Sequence, residues 1–251
     1  MKIALIGSGN VATVLGRLLV KHQHQVTQVI SRDVVHAGEL ANELGASFTD
    51  FDGSPDENAE LFIIAISDAA LENFFVKDGI HNKLVVHTAG SVSKDILHNF
   101  SNRYGVLYPL QSLRKEMEVI PPVPFLVDGC NEEITGIIEN FAKTISDSVE
   151  VAGDEERLKL HAAAVVVSNF TNHLYAIAED FCSKEKVDFN LLLPLIIETA
   201  QRTRYSLPSK VQTGPAIRKD IQTLDKHLRL FTAHPKMRTT YLRLTDSIMN
   251  P

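Results

Sequence analysis

Six residues near the start of the chain, Gly7-Ser8-Gly9-Asn10-Val11-Ala12, have the types and spacing to cradle a phosphate group. Gly7 permits a tight turn and Gly9 lets the backbone approach a pyrophosphate. Ala12 fills the slot that takes glycine or alanine for close helix–strand packing. N–H groups opening the next helix are free to donate, and the helix dipole favours negative charge there. Glycine marks many turns, so context decides. Lys2-Ile3-Ala4-Leu5-Ile6 reads as a strand, Val14, Leu15, Leu18 and Leu19 follow at helical spacing, and Val26 to Ile30 reads as a second strand. Strand, glycine turn, helix and strand make up a dinucleotide-binding unit. The second strand ends in Ser31-Arg32, where NAD-preferring units place an acid for the ribose hydroxyls. An arginine there suits the 2′-phosphate of NADP. Asp33 comes one residue late and reads as the start of a turn. The alternative for Arg32 is a solvated surface charge.

Further candidates lie at strand ends and on one long helical segment. Ala65, Ile66, Ser67, Thr88 and Ala89 follow buried strands, where small residues suit cofactor contact and equally suit a packed turn. His161, Ser168, Asn172, Tyr175 and Glu179 are spaced by 7, 4, 3 and 4 residues and so share one face of an uninterrupted helix. His161 suits a proton donor and Asn172 suits orienting a carbonyl or imine, with Asn169 one position aside. The same stripe would also serve as hydrogen-bonding between helices. Lys159, flanked by Glu155, Glu156 and Arg157, reads as a solvated helix end. His87 follows a buried strand and suits either substrate contact or a buried structural role. Tyr108, Gln111 and Ser112 sit where the chain leaves the sheet, in position to line a substrate cleft. Gly214 and Arg218, in Thr213 to Asp220, suit a rigid turn carrying a carboxylate- or phosphate-binding cation, or a tie between helices.

These residues need a scaffold of two kinds. Up to residue 152, short apolar runs alternate with helical segments. The strand candidates after the second are Ala46 to Phe48, Leu61 to Ile66, Lys83 to His87, Gly105 to Leu107, Pro124 to Val127 and Val149 to Val151. Near-continuous apolar strands are those of a parallel sheet buried on both faces. Ligands bind such sheets outside the carboxyl ends of the strands. From residue 153 to 251 helices are expected: Glu155 to Ser183, apolar over most of its circumference as a central buried helix is; Asp188 to about Leu207, with a kink at Pro194; Asp220 to Thr232; and Lys236 to Met249. The expected fold is α/β, a doubly wound Rossmann-type sheet followed by an all-helical C-terminal domain.

Composition narrows the partners. The 251 residues are 44% apolar and 22% charged, with net charge −6 and pI near 5.9. That charge argues against nucleic acid, whose binders carry a basic stripe. No apolar run approaches the ~20 residues that span a bilayer, so no membrane partner is expected. Ten histidines are scattered without metal-ligand spacing, and no metal is expected. Two cysteines, Cys130 and Cys182, stand far apart, which suits free thiols in a reducing, cytoplasmic setting.

The chain resembles the superfamily of 6-phosphogluconate-dehydrogenase-like NADP-dependent enzymes, which includes pyrroline-5-carboxylate and ketopantoate reductases. Within it the likeness is to Rossmann-like oxidoreductases with a helical C-terminal domain of unknown function. Gly7 to Ala12, Ala65 to Asp68, His87 to Ser91, Tyr108 to Ser112, His161 to Ala164 through Phe170, and Thr213 to Asp220 carry it. It implies NADP as cofactor, hydride transfer with a small carbonyl, imine or hydroxy acid, and a homodimer in which helical domains complete each site. Lys219 departs from the family's pattern, which has glycine there. The alternative from another class is a non-catalytic NADP-binding sensor or interaction module.

Overall fold

A computed structural model describes residues 1–72 and 79–250. Its eight strands are β1 (Lys2–Ile6), β2 (Gln25–Ile30), β3 (Ser47–Thr49), β4 (Leu61–Ile64), β5 (Leu84–His87), β6 (Arg103–Pro109), β7 (Phe125–Gly129) and β8 (Val149–Val151). They form one sheet in the order β3-β2-β1-β4-β5-β6-β7-β8. Every neighbouring pair is parallel except β6 with β7. The α/β, doubly wound reading therefore stands, with one antiparallel pairing that strand patterning alone does not reveal.

Alternation along the strands explains their continuous hydrophobicity. Ile3 and Leu5 of β1, with Leu61 and Ile63 of β4, enter one core with the helices α1 (Asn10–Lys21), α2 (Val34–Leu44) and α4 (Glu132–Ala142). Ala4, Ile6, Phe62 and Ile64 enter a second core on the opposite face. Both faces are covered, and every buried position of β1 and β4 is apolar. The short helix α3 (Asp68–Leu71) follows β4 and is capped by Ser67, which accepts from the Ala70 N–H. Gly45, at φ 69°, closes α2 in the left-handed conformation.

The chain divides into compact units Met1–Val166 and Val167–Pro251. This break falls later than residue 152, because α5 (Asp154–Ala164) is tied to the sheet unit by hydrogen bonds described below. The single long helix expected from Glu155 to Ser183 is instead α5, a π-helical segment (Val165–Phe170) and α6 (Thr171–Lys184). Three successive valines open the π segment, and branched side chains are stiff against the preceding helical turn. The wider turn adds a residue and breaks the α-helical register. His161 and the polar residues beyond Ala164 thus do not share a face by spacing. Nor is this stretch buried within the chain: α5 buries only Arg157, and α6 only Ile177 and Cys182.

In the second unit, α7 (Leu193–Arg202) is preceded by a 3-10 turn, and Pro194 lies in its first turn rather than at a kink. A proline there loses no hydrogen bond. The remaining helices are α8 (Ile221–Leu230), capped by Asp220, and α9 (Pro235–Met249). Lys219 adopts φ 54°, the left-handed region that explains why glycine suits this position. Cys130 and Cys182 are free thiols. Among the described residues, no helix is long and apolar enough to cross a membrane.

Candidate active site

Sheet order reverses between β1 and β4, and this switch point is where an open parallel sheet binds its ligand. Ile6, Ile64, His87 and Val106 stand in one row across the sheet at its carboxyl edge. Gly7, Ala65, Thr88 and Leu107 follow that row directly.

On the β1 side, Gly7 adopts φ 119°, and a methyl group there would stand 2.3 Å from the Ala65 carbonyl oxygen. Only glycine fits. Gly9 is different: it caps α1 with φ −86°, no side chain caps the helix, and a methyl group would meet nothing within 4 Å. The first turn of α1 carries no acid, and the Asn10 side chain is turned aside to accept from the Lys115 N–H at 3.1 Å. Val11 is half-buried and Ala12 buried beneath the turn. Ser8 and Ser31 hydroxyls share a 2.9 Å hydrogen bond that ties the glycine turn to the end of β2. Arg32 is exposed, and Asp33 is committed to capping α2 through the His36 N–H at 3.0 Å. The turn thus presents open N–H groups, with the exposed Arg32, unengaged among the described residues, beyond them.

Past β4 and β5 the small residues close turns. Ala65 donates its N–H to Ile6, Ile66 is half-buried, Ser67 caps α3, and the Thr88 hydroxyl donates to the Ile64 carbonyl at 3.3 Å. The Ala89 N–H donates to His87 Nδ1 at 3.1 Å. That fixes the tautomer: Nδ1 accepts, and Nε2 carries the hydrogen, buried and without a hydrogen-bond partner among the described residues. Burial, reinforced by the nearby Arg157 charge, lowers the His87 pKa to about 4. His87 is fully buried and is kept neutral at ordinary pH.

The chemistry-bearing pair joins the end of β6 to α5. Tyr108 is 9% exposed and its hydroxyl stands 2.8 Å from His161 Nδ1 on α5, the rings meeting edge to face. Both pack over Gly90, where a methyl group would lie 2.6 Å from His161 Nδ1 and 3.0 Å from Tyr108 Cε2. Burial raises the Tyr108 pKa, and the Asp68 charge adds to the effect. Asp68 itself accepts a hydrogen bond from the Ser91 hydroxyl.

Arg157 sets α5 in place. Read in the sequence as part of a solvated flank, it is 1% exposed. Its Nη2 donates to the Val92 carbonyl at 2.5 Å and to Asp154 Oδ1 at 2.7 Å. Asp154 also accepts from the Lys94 N–H at 3.2 Å, while Lys94 Nζ pairs with Asp128 at 2.9 Å. Burial opposes the Asp154 charge, yet hydrogen bonds from Ser93, Arg157 and the Lys94 N–H outweigh it and lower its pKa. Arg157 is one turn before His161 on α5, so this clasp fixes where the imidazole stands. Lys159, by contrast, is solvated and paired with Glu155 at 2.5 Å.

Other sequence candidates fall elsewhere. Gln111 braces its own loop, donating to the Pro122 carbonyl at 3.2 Å and accepting from the Ser112 N–H at 2.9 Å. Asn169, Asn172 and Arg218 are exposed residues of the second unit, and Gly214 adopts φ 109°. Arg157, Asp154, Gly90 and Asp68 are the residues that sequence reasoning left without a role. The Asp154–Arg157–His161 spacing on one helix was the available signal.

Residues 2–90 match the model of a family described as NADP oxidoreductase, coenzyme F420-dependent, and residues 123–248 match the domain of unknown function DUF2520. No curated protein matches the chain in sequence. Among solved structures, a Bacteroides fragilis protein assigned as an NADP oxidoreductase is 36% identical over 100% of this chain and 98% of its own, with a TM-score of 0.90. A pyrroline-5-carboxylate reductase from Streptococcus pyogenes is 15% identical over 100% and 99% of the two chains, with a TM-score of 0.63. An imine reductase from Myxococcus stipitatus in complex with NADP+ is 12% identical over 99% and 92%, with a TM-score of 0.67. These last two likenesses are of fold alone. With residues 123–248 matching one model and a 36% identical relative aligned along its whole length, the chain belongs to the DUF2520 family of NADP-oxidoreductase-type proteins.

Proposed function

We propose that the protein is an NADP(H)-dependent oxidoreductase acting on a small carbonyl, imine or hydroxy-acid compound. The observation that carries this reading is the open α1 N-terminus at Gly9, uncapped and with open space above it, with Arg32 exposed just past the end of β2. Gly7 to Ala12 would hold the pyrophosphate, Ser31 and Arg32 the 2′-phosphate, and Ala65, Ile66, Ser67, Thr88 and Ala89 the nicotinamide side. Bound there, the cofactor supplies or accepts a hydride. The protein's part is to orient the substrate and to move a proton at its heteroatom. His161 is the catalytic candidate on α5. Asn169 and Asn172 are further catalytic candidates, and Tyr108, Gln111, Ser112, Gly214 and Arg218 are candidates for substrate contact.

A homodimer through the second unit belongs to the same proposal. Helix α7 buries no residue, and Leu193, Leu195 and Ile197 on it are 42%, 61% and 55% exposed. An apolar surface of this kind suits association with a second copy. A reducing, cytoplasmic setting suits the two free thiols. The test is NADPH oxidation followed at 340 nm across a panel of keto acids, cyclic imines and, in reverse, hydroxy acids. Steady turnover of one class supports the reading; tight NADPH binding without turnover of any would favour the sensor.

A further inference from the structure

We propose that the Tyr108 hydroxyl is the group that exchanges a proton with the substrate heteroatom, and that His161 resupplies Tyr108. The inference rests on the oxidoreductase reading above and adds the identity of the acid–base group. Four observations carry it. Tyr108 lies two residues beyond the row formed by Ile6, Ile64, His87 and Val106, at the edge of the sheet where ligands bind. Its hydroxyl meets His161 Nδ1 at 2.8 Å. The pair packs directly over Gly90, next to Thr88 and Ala89, and Gly90 has no side chain to separate the phenol from that edge. His161 is half-buried, so its ring keeps a route to water, whereas His87 is sealed and neutral.

The hydrogen bond can run in either direction, and both directions are needed. With imidazolium, Nδ1–H donates to the phenol oxygen and leaves the phenol hydrogen free to point at substrate. With neutral imidazole, the phenol donates to Nδ1. In the reduction, a hydride adds to the carbon of the C=O or C=N bond, the π bond breaks and its electron pair goes to the heteroatom. That heteroatom takes the proton from Tyr108 Oη, Oη takes one from His161 Nδ1, and neutral His161 is reprotonated from solvent. The dihydronicotinamide that gives the hydride is oxidised. Oxidation of the alcohol or amine runs the same transfers backwards. Burial and the Asp68 charge disfavour tyrosinate, so Tyr108 enters the cycle carrying its proton.

Three variants test this: Tyr108→Phe, which keeps the ring; His161→Ala, which leaves room for added imidazole; and Gly90→Ala, which pushes the pair apart. Three readouts are needed: the His161 ring nitrogen resonances in the cofactor-free protein, the NADPH dissociation constant, and NADPH oxidation with ethyl pyruvate and 2-methyl-1-pyrroline as probes. The expected result is a changed His161 Nδ1 resonance in Tyr108→Phe and an NADPH dissociation constant within about twofold of wild type. Turnover should fall by about 10²-fold or more, the usual worth of a positioned acid, and imidazole should restore part of it in His161→Ala. Unchanged turnover in Tyr108→Phe overturns the proposal. If wild type reduces neither probe, an Nδ1 resonance identical in wild type and Tyr108→Phe overturns it. Failure of the wild type to bind NADPH would instead refute the oxidoreductase reading.

Discussion

Replacing Arg157 by methionine keeps most of the aliphatic stem in its buried slot and removes only the guanidinium. Two acceptors then lose a donor: the Val92 carbonyl, 2.5 Å from Nη2, and Asp154 Oδ1, 2.7 Å away. Hydrogen bonds to charged groups contribute about 1.5–3 kcal/mol each, and a buried acceptor left bare costs about 1–3 kcal/mol. The loss must be discounted, because the Asp154 side chain is 35% exposed and keeps the Lys94 N–H as a donor. It is reduced further because Arg157 Nε and Nη1 are buried without acceptors, a cost that methionine removes. A net destabilisation of about 2 kcal/mol remains, or roughly 4–8 °C in the melting temperature of a protein this size. Thermal unfolding by circular dichroism measures it, and Arg157→Lys should recover part of the loss through one ammonium. A melting temperature that is unchanged or raised in Arg157→Met would refute the reasoning. The desolvation cost of the guanidinium would then equal or exceed its two bonds, as happens for some buried ion pairs.

Four further outcomes follow from the same geometry. Gly7→Ala should fail to fold or lose about 3 kcal/mol or more, since its methyl group would meet the Ala65 carbonyl oxygen at 2.3 Å. Gly9→Ala should melt within a few degrees of wild type yet bind NADPH about 10-fold or more weakly, measured by fluorescence titration, because one charge-assisted phosphate contact is worth about 1.5–3 kcal/mol. His87 has a folded pKa of about 4 against an ordinary 6.5, so the unfolded chain binds the extra proton and stability falls as pH drops from about 6.5 toward 4. Melting wild type and His87→Phe at pH 7.5 and 4.5 should show wild type losing about 2–3 kcal/mol more than the variant. Lys219→Gly should be neutral or stabilising by up to about 1 kcal/mol in urea unfolding, and Lys219→Val destabilising, given φ 54°.

Much of the scaffold was legible because its rules are local. Two-faced burial of β1, β4 and β5 forces unbroken apolar runs, and Gly7, Gly45 and Ser67 punctuate the chain for stated conformational reasons. What escaped was long-range or cumulative. Arg157 reads as a surface charge until Val92, 65 residues earlier, is seen to accept from it. The Tyr108–His161 pair joins residues 53 apart through the packing of α5 on the sheet, which no spacing rule anticipates. The π segment at Val165–Phe170 shifts the helical register by a residue, so a polar stripe counted at α-helical spacing comes apart. The antiparallel β6–β7 pairing likewise depends on the path of the loop between them rather than on either strand.

The account turns on Gly9 and Arg32 together receiving a dinucleotide that carries a 2′-phosphate. Isothermal titration of NADPH and NADH into wild type and Arg32→Ala tests that most directly. NADPH should bind wild type at least about 10-fold more tightly than NADH, a difference of about 1.4 kcal/mol, and the gap should close in Arg32→Ala with NADH affinity unchanged. Equal or tighter binding of NADH to wild type, or a preference for NADPH that survives the loss of Arg32, would contradict it.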